Sequence, residues 1–104
     1  MSKDGSETEI ANEIVYEYNL SGNYPNPFNP STKIEYTLKE KGFVSIKVYD
    51  IIGREVVELV NESKQKGNHS ISFNTTGKDL TSGIYFYTII VNEYSETKKM
   101  ILVK

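Results

Sequence analysis

All three prolines of this 104-residue chain fall within one stretch of six, inside Asn23-Tyr24-Pro25-Asn26-Pro27-Phe28-Asn29-Pro30-Ser31-Thr32. Each proline fixes its own φ and removes a backbone donor. The residues that precede them, Tyr24, Asn26 and Asn29, are pushed out of the helical region. A run so constrained is neither a helix nor a central strand. It reads as a rigid extended crossing, anchored by its large side chains, Tyr24 and Phe28.

On either side of this crossing, period-two alternation of apolar and polar residues dominates. Ile14, Tyr16, Tyr18 and Leu20 share one face of a first strand, and Ile34, Tyr36 and Leu38 share a face of the next. After a turn at Glu40-Lys41-Gly42, Val44, Ile46 and Val48 oppose Phe43, Ser45, Lys47 and Tyr49. Asp50-Ile51-Ile52-Gly53 is a hairpin connection, with Asp50 opening the turn and Gly53 free to take a positive φ. The return strand from Arg54 carries Val56, Val57, Leu59 and Val60, whose imperfect alternation predicts a bulge near Glu58. A polar turn over Asn61 to Gly67 leads to a strand with His69, Ile71 and Phe73 on one face.

Thr75 to Ser82 is a longer connection plugged by Leu80. Ile84 to Val91 is β-branched and aromatic throughout, as expected of a central strand. Asn92-Glu93 then turns the chain into a final strand from about Ser95 to Val103. The spacing predicts an all-β fold, an immunoglobulin-like antiparallel β-sandwich of about seven strands. Cysteine is absent, so there is no disulfide, and the tryptophan of antibody domains is missing too. Tyr85 stands where a tyrosine corner forms in such sandwiches.

Met1 to Asn12 is polar, with Ile10 its sizeable apolar side chain, and lacks the pattern of a signal peptide. Residues 1–12 are expected to be a flexible lead-in or linker remnant, and residues 13–104 the folded domain. No apolar run approaches the ~20 residues of a transmembrane helix. The net charge is −2 and Arg54 is the sole arginine, a balance that argues against nucleic acid as a partner. Without cysteine there is neither a thiolate metal site nor a cysteine nucleophile. The acids are scattered among lysines with no metal-ligand spacing, so neither metal nor cofactor is expected. His69 has no nucleophile or orienting acid beside it in any motif. The chain does not read as an enzyme.

Three blocks resemble the C-terminal sorting domain of the type IX secretion system, and more narrowly the subgroup that opens with NYPNPFNPST. They are Asn23 to Thr32, then Val48-Tyr49-Asp50-Ile51-Ile52-Gly53-Arg54-Glu55-Val56. The third is Leu80-Thr81-Ser82-Gly83-Ile84-Tyr85-Phe86-Tyr87 together with Lys98-Lys99-Met100-Ile101-Leu102-Val103-Lys104. The resemblance implies a sorting signal that directs an exported bacterial cargo across the outer membrane, so that the parent protein ends secreted or at the cell surface after passing the periplasm. It implies the outer-membrane type IX translocon and its shuttle proteins as partners, and a sortase-like peptidase that removes the domain in many members. Cargo and export signal are missing from the chain, which is therefore expected to be an excised domain with an added start methionine. The pattern also resembles the C-terminal domain of the flagellar hook-capping protein. A structural or carbohydrate-binding accessory module of a cell-surface protein is the alternative, suggested by the eight tyrosines.

The candidate recognition residues are Tyr24, Pro25, Asn26, Pro27 and Phe28 of the crossing, Gly53 and Arg54 of the central turn, and Lys98, Lys99 and Lys104. Each has a structural reading as well. The prolines block edge pairing, Gly53 serves its turn, Arg54 pairs with a neighbouring Glu, and the lysines keep an edge strand from aggregating. A preorganised crossing serves both roles, because it loses little entropy when a partner docks.

Overall fold

A computed structural model describes residues 7–10 and 13–104. Among these, nine strands are present: β1 (Glu7–Ile10), β2 (Glu13–Tyr16), β3 (Asn19–Leu20), β4 (Ser31–Leu38), β5 (Gly42–Tyr49), β6 (Glu55–Lys64), β7 (Gly67–Asn74), β8 (Gly83–Val91) and β9 (Tyr94–Leu102). Seven of them build the expected antiparallel sandwich, with a three-stranded sheet in the order β3-β4-β7 over a four-stranded sheet in the order β6-β5-β8-β9.

The alternation seen in the sequence is the burial pattern of the strands. Ile34, Tyr36 and Leu38 of β4 meet Val44, Ile46 and Val48 of β5 and Tyr85, Tyr87, Ile89 and Val91 of β8 in one core. Lys33 and Glu35, the intervening residues of β4, face water. β8 lies between β5 and β9, as its composition predicts. Its second apolar face looks outward, however, and leaves Ile84 and Ile90 exposed. The predicted bulge is present as two irregularities, since Leu59 and Val56 have no partner in the β5–β6 register on either side of Glu58.

Three boundaries differ from the sequence expectation. The first strand is broken: β2 ends at Tyr16, and after Glu17 and Tyr18 the two-residue β3 joins the sandwich. Tyr18 leaves the strand line to stack on Tyr94, with ring centroids 5.0 Å apart. β6 runs on to Lys64, so the polar turn shrinks to Gln65 and Lys66. Residues 7–10, within the expected lead-in, pair with β2 as a two-stranded sheet of their own, with Glu7 opposite Tyr16. The rest of that lead-in lies outside the described residues.

The two ends of the sandwich differ. At one end, here called proximal, lie the turns β4–β5, β6–β7 and β8–β9, with the β1–β2 hairpin against them: Tyr16 approaches Gly67, and Ile14, Val15 and Tyr16 border a depression with Lys39, Glu40, Lys41 and Lys66. The other, distal end holds the proline crossing, the β5–β6 turn, the Thr75–Ser82 connection and the close of β9.

Candidate functional site

The proline crossing closes the distal end by joining the two sheets. Tyr24 exchanges both backbone hydrogen bonds with Lys33 of β4, each 2.9 Å. Four residues later the Phe28 N–H donates to Ile101 O (2.9 Å), and Phe28 O accepts from the Val103 N–H (3.0 Å), beside β9. Asn26 Oδ1 accepts from the Ile101 N–H at 3.1 Å. Pro30 O accepts from both the backbone N–H and the hydroxyl of Thr75, each at 2.9 Å. Inside the bend, Asn23 Nδ2 donates to Thr32 Oγ1 and Pro25 O, and the Thr32 hydroxyl also donates to Pro25 O. A chain stripped of three N–H donors is thus held through its carbonyls, its asparagine side chains and the remaining N–H groups of Tyr24 and Phe28.

The two expected anchors separate. Phe28 is 2 % exposed and packs its ring against Phe73 at 5.9 Å. Tyr24 is 81 % exposed and is no anchor. Its backbone is bonded to Lys33 of β4 through both N–H and C=O, and its side chain therefore shares the solvent-facing side of the sheet with the exposed Lys33.

The β5–β6 turn is organised by Asp50. Gly53 N–H closes the turn on Asp50 O at 3.0 Å, with φ of +88° at Gly53. Asp50 Oδ1 accepts from the backbone N–H groups of Arg54 (2.9 Å) and Ile52 (3.1 Å), and Oδ2 accepts from Arg54 Nε at 2.9 Å. These donors, the Arg54 backbone N–H foremost, hold the Asp50 carboxyl below its ordinary value. Arg54 therefore pairs with Asp50 rather than with a Glu, and its side chain stays 75 % exposed. Its two Nη groups make no hydrogen bond among the described residues.

With the turn pinned from inside, Ile51 and Ile52 stand 69 % and 70 % exposed at its tip. They border an open groove of about 500 Å³ that also takes in Arg54, Leu80 and Ile84. Leu80 plugs the core beneath it as predicted, and the Tyr85 hydroxyl donates to Thr81 O at 2.7 Å, completing the expected tyrosine corner. In the sequence Ile51 and Ile52 are turn residues with no role of their own. Two adjacent isoleucines inside an Asp-to-Gly turn were the available signal, since a turn tip has no core to face.

The structure therefore brings Pro25, Asn26, Pro27, Phe28, Gly53, Arg54 and Lys104 to one end. Lys104 reaches it through its backbone N–H, which donates to Ser82 Oγ at 2.9 Å. Lys99 lies on the outer face of β9 opposite Phe86. Lys98 is on the other face, half-buried and paired with Glu96 at 3.4 Å, apart from the rest. Of the eight tyrosines, Tyr36, Tyr85 and Tyr87 are core and Tyr18 is stacked on Tyr94, while Tyr24 stands in water away from them. Burial raises the Tyr87 hydroxyl to about 12, and it donates to Ser21 O at 2.7 Å. His69 is half-buried on the face it shares with Ile71 and Phe73, stacked on Tyr36 and bonded through its ring to Gln65 O.

Against this geometry, a protein family described as a secretion system C-terminal sorting domain matches residues 23–104. A search of curated proteins gives no match. Among solved structures, PorZ, described as an essential bacterial surface component of the type IX secretion system of Porphyromonas gingivalis, superposes with a TM-score of 0.53 at 17 % identity. The similarity covers 84 % of this chain and 11 % of that one, and it is a likeness of fold.

Proposed function

The chain belongs to the family of secretion system C-terminal sorting domains, and from that premise we propose that the distal end of its sandwich is the face the type IX machinery reads. One observation carries this reading. The crossing, the Asp50 turn and the close of β9, far apart in sequence, meet at one end, while the β1–β2 hairpin sits at the other. Such a domain presents its signal away from the side on which a cargo would precede it.

The apolar side chains Ile51 and Ile52, the Arg54 guanidinium and the stiff proline crossing are held in place before any partner arrives. Recognition then costs little ordering. A net charge of −2 is too small for long-range steering, so discrimination rests on shape and on these few groups. The readers are an outer-membrane translocon and its shuttle proteins, by way of the periplasm, with a sortase-like peptidase acting afterwards. The domain itself performs no catalysis. The sequence of the crossing supports membership of the NYPNPFNPST subgroup.

A passive reporter behind a signal peptide and this domain tests the proposal in a host with a compatible type IX system. The intact fusion reaches the cell surface. The triple variant Ile51→Ser/Ile52→Ser/Arg54→Ala folds but leaves its reporter in the periplasm. Should the intact fusion stay in the periplasm of a host that exports its own cargo, the reading fails.

A further inference from the structure

The free edge of β9 has a pairing capacity that neither the core nor the distal end uses. Ile101 and Val103 turn their backbone groups away from β8, toward Asn26 and Phe28. The β8–β9 register is regular throughout, so the same outward direction holds for Ser95, Thr97 and Lys99. Their N–H and C=O groups have no hydrogen-bond partner among the described residues. The crossing thus covers the last part of the edge and leaves a straight run from Ser95 to Lys99 open. The opposite edge of this sheet is different, because β6 is bulged at Val56 and Leu59, a device that spoils edge pairing.

We propose that this edge pairs with the same edge of a second copy, antiparallel about a two-fold axis at Thr97. The argument is one of register. With the axis there, the two Thr97 residues exchange both backbone bonds, and Ser95 of each copy does the same with Lys99 of the other. Every open donor and acceptor of the run is satisfied, and pairing stops where the crossing begins. Directly opposite each other then stand Glu96 of one copy and Lys98 of the other, twice, and threonine faces threonine. Both kinds of pair are favourable across strands.

Moving the register by two residues in either direction sets Glu96 against Glu96 or Lys98 against Lys98, which is repulsive. The charge order Glu-Thr-Lys is self-complementary about its threonine and so specifies a single alignment. The joined sheets are isologous, as a two-fold interface requires, and the two distal ends point in opposite directions. A single strand pair makes a small interface, hence a reversible, concentration-dependent dimer.

Sedimentation equilibrium on the whole chain, from about 10 µM to about 1 mM, should show monomer giving way to dimer. Lys98→Glu alone and Glu96→Lys alone should each weaken the dimer about tenfold or more, since every cross-pair becomes repulsive. Mixed in equal amounts, the two variants should associate with near-native affinity. The introduced glutamate of one copy then faces the introduced lysine of the other, and the unaltered Glu96 of the first faces the unaltered Lys98 of the second. Thr97→Pro, which removes an N–H that β8 does not use, should leave the melting temperature nearly unchanged and abolish the dimer. Monomer at every concentration overturns the proposal. So does a failure of the mixed variants to associate, or capture of another protein's strand by this edge while the chain stays monomeric.

Discussion

The two ends of the sandwich solve the same problem, closing a pair of sheets, by unlike means. The proximal end uses short turns and few ties. Asn92, at φ of +54°, donates from its side-chain amide to Tyr18 Oη (2.8 Å) and Lys41 O (3.3 Å), and Tyr18 stacks on Tyr94. Here Gly42 allows a close approach, because a Cβ on it would lie 2.5 Å from Asn92 Oδ1. The distal end is spanned by a long crossing and a long connection, bound by backbone groups, an asparagine-threonine cluster and a buried phenylalanine. Short hairpins bring their own hydrogen bonds, whereas long connections must find partners elsewhere or leave buried groups unpaired. Each end holds large apolar side chains in water, Ile14 and Phe43 at the proximal one and Ile51 and Ile52 at the distal one, but only the distal pair stands on a turn pinned from inside by a carboxylate. Rigidity and exposure together suit a recognition face.

The comparison breaks most readily at Phe28. Phe28→Ala should cost about 3–5 kcal/mol in urea unfolding, because it empties the hinge between crossing and core. Tyr18→Ala, its proximal counterpart, removes one half-buried stack and should cost about 1 kcal/mol. Equal losses would mean that the two ends contribute alike.

A smaller effect separates the hydrogen bonds of the two ends. Tyr85→Phe loses the part-buried bond to Thr81 O and should cost about 1 kcal/mol. Tyr18→Phe loses an exposed bond to Asn92 and should stay within about 0.5 kcal/mol. Thermal unfolding of both variants decides the point.

Smaller still are the losses at the distal tip. Ile51→Ser, Ile52→Ser and Arg54→Ala should each alter stability by no more than about 0.5 kcal/mol. A large loss from Arg54→Ala would reassign that residue from recognition to scaffold.

The smallest effect is a titration. The folded Asp50 carboxyl sits below its ordinary 3.8 because amide donors favour its charged form. Its contribution to turn order is therefore complete above that value and disappears as pH falls through the lower, folded pKa. The amide resonances of Ile52 and Arg54 should shift together with a midpoint below 3.8. A midpoint at or above it would show that the carboxylate is not what holds the turn.

Much of this molecule is legible along the chain. Alternation in β4, β5 and β7 marks the buried face because a pleated strand has a strict period of two. The Asp50-to-Gly53 turn, the plug at Leu80 and the bulge around Glu58 are local events with local signatures. Tyr18 shows where such reading stops. It continues the alternation of Tyr16 and Leu20, yet its ring stacks on Tyr94 while the strand breaks beside it, since the partner is distant in sequence. The outward face of β8 makes a similar point: Ile84 and Ile90 look like core because nothing in sequence reveals that the sheet has a single neighbour. Tyr24 and Phe28, equal candidates by residue type, are separated only by where the crossing meets β4 and β9.

The sequence by itself determined the all-β sandwich, its main strands, the proline crossing as irregular chain and the blocks that carry the family resemblance, because each rests on backbone sterics or on side-chain period within a few residues. The tertiary structure alone decided that those blocks gather at one end, that Ile51 and Ile52 stand in water and that Lys98 belongs with Glu96 on β9. These facts depend on which strands become neighbours, and strand order is set by packing between segments far apart in the chain.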